Sequence, residues 1–442
     1  MKMVKSMKRK ITESLIKWKN TSGHKPLILQ GARQVGKSYI LEEFGRQYYK
    51  SFVKVSLDLV PDVRDFLAKT IDPIEIIAFL ESMYNTRIVP GETLVFLDEI
   101  QDCRRAFLAL KYFREQHPEY DIVAAGSLLG VAVNNGNDTD DRFSYPVGKV
   151  DELTLYPMDF EEFLWAIDKD ILAQSIREHF EKDEKMPESV HAQATDLYQK
   201  YLIVGGMPES VLTYQQTQSF LACREVQQSI LIGYDKDMTK YASAATSVKI
   251  RACFNSIPAQ LAKENRKFQY KLAKKGGTAT IFGESIQWLT QAGVALKCTL
   301  VSNGFIPLSA QTDDSDFKIY MSDIGLLGAK AQIPATMLLN CVDIDNTFLG
   351  SVAENYVAQQ LQARGYALFY WKNDNTAELE FVLQMEDRIV PVEVKKGQRV
   401  KAQSMKMFAE RYKSALSYRI SGKNLGCANG VRSIPLYAVF CV

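Results

Sequence analysis

The sequence predicts an α/β protein with a mostly parallel sheet in its N-terminal part, a helical region in the middle and a second α/β domain at the C-terminus. Three observations carry this reading. Short apolar runs alternate with segments of helical spacing up to about residue 130, as in a parallel sheet covered by helices on both faces. GESIQWLTQAG is helical in spacing, ALKCTLV and FKIYMSD after it read as strands, and a pair of alternating strands marks the last third. A length of 442 residues favours several domains over one.

The first strand is KPLILQ, and it runs into GARQVGKS at residues 31–38. YILEEFGRQYY follows with Ile40, Leu41, Phe44 and Tyr48 at helical spacing. A GxxxxGK[ST] stretch between a strand and a helix is the context in which a phosphate-binding loop is credible. Gly31 and Gly36 let the backbone wrap a phosphate chain. The N–H groups of Ala32, Arg33, Gln34, Val35 and Tyr39 then join the helix N-terminus around the charge. Lys37 is expected on the β- and γ-phosphates and Ser38 on Mg²⁺.

SFVKVSLD reads as the next strand and IEIIAFLESMY as a helix. TLVFLDEIQ, residues 93–101, is an apolar strand ending in two acids. Asp98 is expected to serve the metal and Glu99 to orient or polarise the attacking water. DIVAAGSLLG is a further buried strand whose end carries Ser127, either a γ-phosphate sensor or a helix N-cap. The ligand of such a sheet belongs at the carboxyl ends of the strands.

Composition bounds the rest. A formal charge of +2 gives no global field toward nucleic acid or membrane. The N-terminal MKMVKSMKRK lacks the apolar run of a signal peptide, and no stretch approaches the roughly 18 apolar residues of a membrane span. Seven scattered cysteines without a CxxC pair, and four histidines, argue against a disulfide framework or zinc site and make the cytoplasm the expected compartment.

LILQGARQVGKS, LVFLDEIQ, AAGSLLG, LTLYPMDFEEFL and YLIVGGMPESV occur in an order that resembles a group of prokaryotic AAA+-like ATP-binding proteins with a C-terminal domain of unknown function. The resemblance covers essentially the whole chain. It implies a P-loop ATPase core over residues 1–165, a helical lid over 166–245, a winged-helix-like segment over 246–310 and a C-terminal domain over 311–442. ATP and Mg²⁺ are the implied ligands. Relatives often carry a Gly-Arg pair before the L-x-P-x-x-F-x-E-F stretch. This chain has Gly148-Lys149, which puts an arginine finger there in doubt. Arg142 is a substitute candidate. The resemblance also places Pro208, in Gly206-Met207-Pro208, near the adenine, although the same residues make a helix-breaking turn unaided.

KENRKFQYKLAKK, residues 263–275, holds six basic residues with Phe268 and Tyr270 among them. It reads as a nucleic-acid contact or as a solvated face with its aromatics packed inward. AELEFVLQMEDRIVPVEVKK reads as a hairpin turning at Glu386-Asp387. That register sets Glu380 opposite Glu393 and Glu378 opposite Lys395, on one face. Two facing glutamates repel by up to about 1 kcal/mol, so a cation, Lys395 or water must offset them. The arrangement resembles the core of PD-(D/E)xK nucleases, a restriction-endonuclease-like fold. Glu393-Val394-Lys395 supplies the E-x-K, and Glu354 looks like the acid from the preceding helix. Glu380 replaces the usual aspartate with a longer side chain, against the strict geometry of Mg²⁺. The reading therefore favours a nuclease-like fold kept for binding or packing, its polar face solvated. The expected function is an ATPase whose nucleotide cycle controls a C-terminal module that contacts nucleic acid or protein. The alternatives are an ATP-gated nuclease and a slow nucleotide-state switch.

Overall fold

In the computed structural model, Leu27–Gln30 (β1), Ser51–Ser56 (β2), Thr93–Asp98 (β3), Asp121–Gly126 (β4) and Asp151–Thr154 (β5) build one parallel sheet in the order β2-β3-β4-β1-β5. The structure describes residues 7–127, 146–240, 242–339, 347–373, 377–395 and 403–442. These fall into two units, Met1–Tyr156 with Gln291–Gly293, and Pro157–Thr290 with Val294–Val442.

In the first unit, β3 and β4 are buried along their whole length. That is why their sequences read as continuous apolar runs instead of alternating ones. One core packs Val53, Val55, Val95, Leu97 and Ile122 of the sheet against Ile76, Leu80, Phe107 and Leu110 of the helices Pro73–Tyr84 and Arg104–Gln116. Strand β4 lies between β1 and β3, so the ends of these three strands stand side by side.

The second unit opens with helices, among them Phe160–Ala166, Glu188–Val204, Pro208–Thr217 and Phe220–Lys240. Its sheet has eight strands: Ala295–Val301 (β6), Thr312–Met321 (β7), Phe369–Asn373 (β8), Ala377–Met385 (β9), Arg388–Val394 (β10), Ser417–Ser421 (β11), Gly426–Ala428 (β12) and Val431–Pro435 (β13). Their order is β12-β13-β11-β10-β9-β8-β6-β7. The hairpin β6–β7 thus shares a sheet with the C-terminal strands, with β6 parallel to β8.

The motifs YPMDF, VGGMP and MSD meet in the buried interior of this unit. Met158 N donates to Gly206 O at 2.7 Å, and Gly206 N donates to Asp323 Oδ2 at 2.6 Å. Tyr201 Oη donates to Met158 O at 2.5 Å, and Gln359 Nε2 reaches Tyr201 Oη at 2.9 Å. Asp323 is fully buried, and burial pushes its carboxyl up to about 6 despite the N–H groups of Gly206, Leu326 and Gly325. A raised carboxyl pKa means that the folded state holds the proton more tightly than the unfolded chain. Its contribution is therefore largest in acid and is lost as pH climbs from about 4 through about 6. The melting temperature of the wild type relative to Asp323→Asn is expected to fall across that window, and a flat difference would refute the assignment.

Candidate functional sites

Three strand ends bring the expected nucleotide-binding residues of the first unit together. The loop after β1 turns through Gln34 at φ 65° and Gly36 at φ 95°, both left-handed, before the helix Lys37–Tyr48 begins. At Gly31 a Cβ would lie 2.2 Å from Leu155 O, so only glycine fits where the loop leaves the strand. Lys37 is buried, and its Nζ donates to Gly31 O at 3.0 Å and Ala32 O at 2.8 Å. The ammonium is thereby folded into the concave side of the loop. Arg9, also buried, donates to Val35 O at 3.0 Å and Tyr156 O at 2.7 Å, fastening the loop to the segment after β5.

At the end of β3, Asp98 is buried and Ser38 Oγ donates to its Oδ1 at 2.9 Å. A serine hydroxyl beside a carboxylate is a set of hard oxygens suited to Mg²⁺. Glu99 adopts φ 53° and leads the turn Ile100–Asp102. Its Oε2 accepts from Gln101 and, at 3.5 Å, from Ser127 Oγ at the end of β4. The residues Gly31 to Tyr39, with Asp98, Glu99 and Ser127, thus sit at the ends of β1, β3 and β4.

One residue escaped the sequence reading. Lys54, in the middle of β2, extends to Glu42 Oε1 at 2.8 Å and Asp98 Oδ2 at 3.1 Å. Burial pulls its pKa down, but the two carboxylates more than offset that and hold the ammonium protonated above its usual range. The available signal was a lysine breaking the run SFVKVS, and surface strands carry many such lysines.

The remaining ATPase-related candidates are placed separately. Lys149 pairs with Glu115 at 2.8 Å in the first unit. Arg142 lies outside the described residues. Pro208 belongs to the second unit, where it is the first residue of the helix Pro208–Thr217 after the turn at Gly205–Met207.

The second cluster lies on the eight-stranded sheet. The β9–β10 pairing runs from Arg388↔Met385 to Val392↔Phe381 around the Glu386–Asp387 turn. Over these residues this is the expected register, and the ladder ends one residue short of Glu380 and Glu393. The expectation of a solvated polar face is corrected for Glu380 and Glu393, which are buried as Glu354 is, while Glu378 and Lys395 stay partly exposed. The helices Thr347–Ala363 and Gln403–Tyr412 pack on these strands, and Val382 is buried with Met405 and Phe408. Pro391 is not on an edge strand. The parallel pairing of β10 with β11 starts only at Val392, which spares the missing N–H.

Each glutamate of this cluster has its own cation. Arg266 Nη1 donates to Glu354 Oε1, and Tyr320 Oη donates to Oε2 at 3.3 Å. Lys395 Nζ lies 3.1 Å from Glu380 Oε1 and 3.7 Å from Glu393 Oε1, between the two facing acids. Val394 N donates to Glu380 Oε2 at 3.0 Å. Arg419, directly across from Glu393 in the β10–β11 pairing, lies 3.5 Å from Glu393 Oε2. Glu378, expected opposite Lys395, receives the buried ammonium of Lys318 from β7. Burial pushes Glu354 and Glu393 upward, while Arg266 and Lys318 pull the first back and Lys395 and Arg419 the second.

These groups do not fit a divalent ion. Four carboxylates meet four cations, and among the described residues no three acids, cysteines or histidines converge as metal ligands. The sequence had offered Glu354, Glu378, Glu380, Glu393 and Lys395 as a candidate second site, with the binding or packing reading favoured over metal-dependent catalysis. It did not reveal Arg266, Lys318 and Arg419, which long-range folding delivers.

The basic segment 263–275 is also partly committed internally. Arg266 holds Glu354, Lys267 holds Asp316 at 2.8 Å, and Phe268 is buried against Phe317. Lys263, Lys271, Lys274 and Lys275 remain exposed.

Comparison with known proteins matches three stretches of the chain. Residues 23–164 match the model of an AAA domain. Residues 195–336 match a domain of unknown function, DUF8612, and residues 349–438 another, DUF4143. A solved structure described as a Walker-type ATPase of Pyrococcus abyssi aligns with 74% of this chain and 96% of its own, at 15% identity and a TM-score of 0.45. No curated protein matches. Residues 23–164, which carry the parallel sheet and the loop 31–38, are thus similar to an AAA domain, and a separate α/β domain follows toward the C-terminus. No helix among the described residues is long and apolar enough to cross a membrane.

Proposed function

We propose that the chain binds ATP with Mg²⁺ in the loop 31–38, hydrolyses it, and uses the nucleotide cycle to control the module built by its second unit. The observation that carries this is the Ser38–Asp98 contact, which joins the phosphate-binding loop to the acidic end of β3. Lys37 supplies positive charge to the β- and γ-phosphates. Backbone N–H groups from Ala32 to Tyr39 and the N-terminus of the following helix hold the phosphate oxygens. Ser38 and Asp98 hold Mg²⁺, which supplies neutralisation of the phosphate charge. Glu99 orients the attacking water and accepts its proton, and Ser127 steadies Glu99 or the γ-phosphate. Pro208 is assigned to the adenine side on resemblance alone.

Control of the module is supported by chain continuity. Leu155 N donates to Gln30 O at 2.8 Å, and Arg9 ties Val35 to Tyr156. A change in the loop is therefore felt at the residue that precedes Pro157, where the second unit starts. The module's partner is proposed as nucleic acid or protein. If the exposed lysines of 263–275 touch phosphates, binding should weaken steeply with salt. Nuclease activity is not proposed, because the acids of the second cluster are already neutralised.

The test is Lys37→Ala. Charge-assisted hydrogen bonds are worth about 1.5–3 kcal/mol, so ATP affinity should drop roughly ten- to hundredfold. Calorimetry on folded variant showing undiminished affinity and normal turnover would remove the assignment.

A further inference from the structure

We propose that Lys54 is a resident cation at the metal-binding carboxylate, and that it makes nucleotide binding less dependent on the divalent ion. The inference rests on the ATP-binding reading above. Both oxygens of Asp98 are engaged: Oδ1 accepts from Ser38 Oγ at 2.9 Å and from Glu99 N at 3.2 Å, while Oδ2 faces Lys54 Nζ at 3.1 Å. Lys54 does not reach Asp98 by chance of an exposed, mobile tip. Glu42 anchors the ammonium at 2.8 Å from the helix that begins at Lys37 itself, and the side chain is only 30% exposed. Glu42, Lys54 and Asp98 therefore form a bridge from the phosphate-binding helix through β2 to β3.

The electrostatic consequence has a definite sign. Without metal, a carboxylate beside the phosphates repels them, and a fixed ammonium on that carboxylate reduces the repulsion. With metal, the ammonium and the divalent ion are like charges sharing one acid, and each weakens the hold of the other. Lys54 thus raises nucleotide affinity in the absence of metal and lowers metal affinity in its presence. The quantity that reports both is the ratio of nucleotide Kd in EDTA to nucleotide Kd in Mg²⁺.

Lys54→Met keeps most of the aliphatic stem and removes the charge. Glu42 retains Arg46 at 3.1 Å, and Asp98 retains the hydroxyl of Ser38 and the N–H of Glu99. Lys54→Arg restores the charge. Fluorescent ATP binding, followed by anisotropy in EDTA and in saturating Mg²⁺, should show the Kd ratio rising roughly tenfold or more in Lys54→Met. The ratio should return toward the wild-type value in Lys54→Arg. A Mn²⁺ titration of the ATP complex read by electron paramagnetic resonance should show tighter metal binding in Lys54→Met. A ratio unchanged within about twofold, or equal weakening with and without metal, overturns the proposal while leaving the ATP site standing. Absence of ATP binding by the wild-type chain under either condition overturns the ATP-binding reading, and this proposal with it.

Discussion

Glu99→Gln is expected to slow ATP hydrolysis by roughly 10²- to 10⁴-fold, the range for loss of a positioned general base, while ATP still binds. The carboxylate is held in place before any substrate arrives. Glu99 occupies the left-handed region at φ 53°, between the end of β3 and the turn Ile100–Asp102. A non-glycine residue there costs about 1 kcal/mol or more, and the cost persists because β3 and the turn fix the backbone on either side. Gln101 and Ser127 then approach Oε2. Glutamine matches the shape of glutamate but removes the charge that polarises water. It leaves Lys37, Ser38 and the loop N–H groups untouched, so affinity and turnover should separate. Asp98→Ala should not separate them, because Asp98 binds Ser38 directly and carries the metal dependence as well. Phosphate release and fluorescent-nucleotide binding on the same preparations decide the matter. A Glu99→Gln protein with wild-type turnover would place the base elsewhere.

The ATPase site was legible because its chemistry is local in sequence. Eight consecutive residues build the loop, and Asp98 and Glu99 follow a strand whose burial shows as an uninterrupted apolar run. The fold then needs only to set β4 between β1 and β3. The β9–β10 register was legible for a similar reason, since a two-residue turn and a period of two fix a hairpin. The environment of that hairpin was not legible. Glu380 and Glu393 look like one solvated face when read along two strands. They are buried because Thr347–Ala363 and Gln403–Tyr412 cover the strands and because cations arrive from elsewhere. Arg266 comes from 88 residues upstream of Glu354, and Arg419 comes from β11. Arg266 reads in the sequence as part of a nucleic-acid contact or of a solvated face, since no local pattern distinguishes an arginine turned inward from one turned to solvent. Lys54 was missed for the same reason.

Arg266→Met is expected to destabilise the second unit by about 3–5 kcal/mol, the cost of removing one partner of a buried ion pair. Arg266 and Glu354 have side chains only 15% and 3% exposed. Burial works against the charge on Arg266, and Glu354 together with Tyr320, Glu380 and Glu378 more than offsets it, so the guanidinium stays above its ordinary pKa. Methionine fills much of the arginine stem's space but leaves Glu354 facing Glu378 and Glu380 without its principal counter-charge. The loss should therefore exceed that of Lys395→Met, whose ammonium is 35% exposed and can be replaced in part by water. Glu354→Gln added to Arg266→Met should recover most of the stability, because the amide oxygen still accepts from Tyr320 and no unpaired charge remains. Chemical denaturation of the two single variants and the double variant gives the coupling directly. A single variant within about 1 kcal/mol of wild type, or a double variant no better than Arg266→Met, would show that the pair does not stabilise the second unit as a buried ion pair. The same charge balance predicts that Mg²⁺ or Mn²⁺ leaves the unfolding of the second unit unshifted in nucleotide-free protein. A metal-dependent stabilisation lost in Glu380→Gln, or DNA or RNA cleavage lost in Lys395→Ala, would instead make the cluster a catalytic centre.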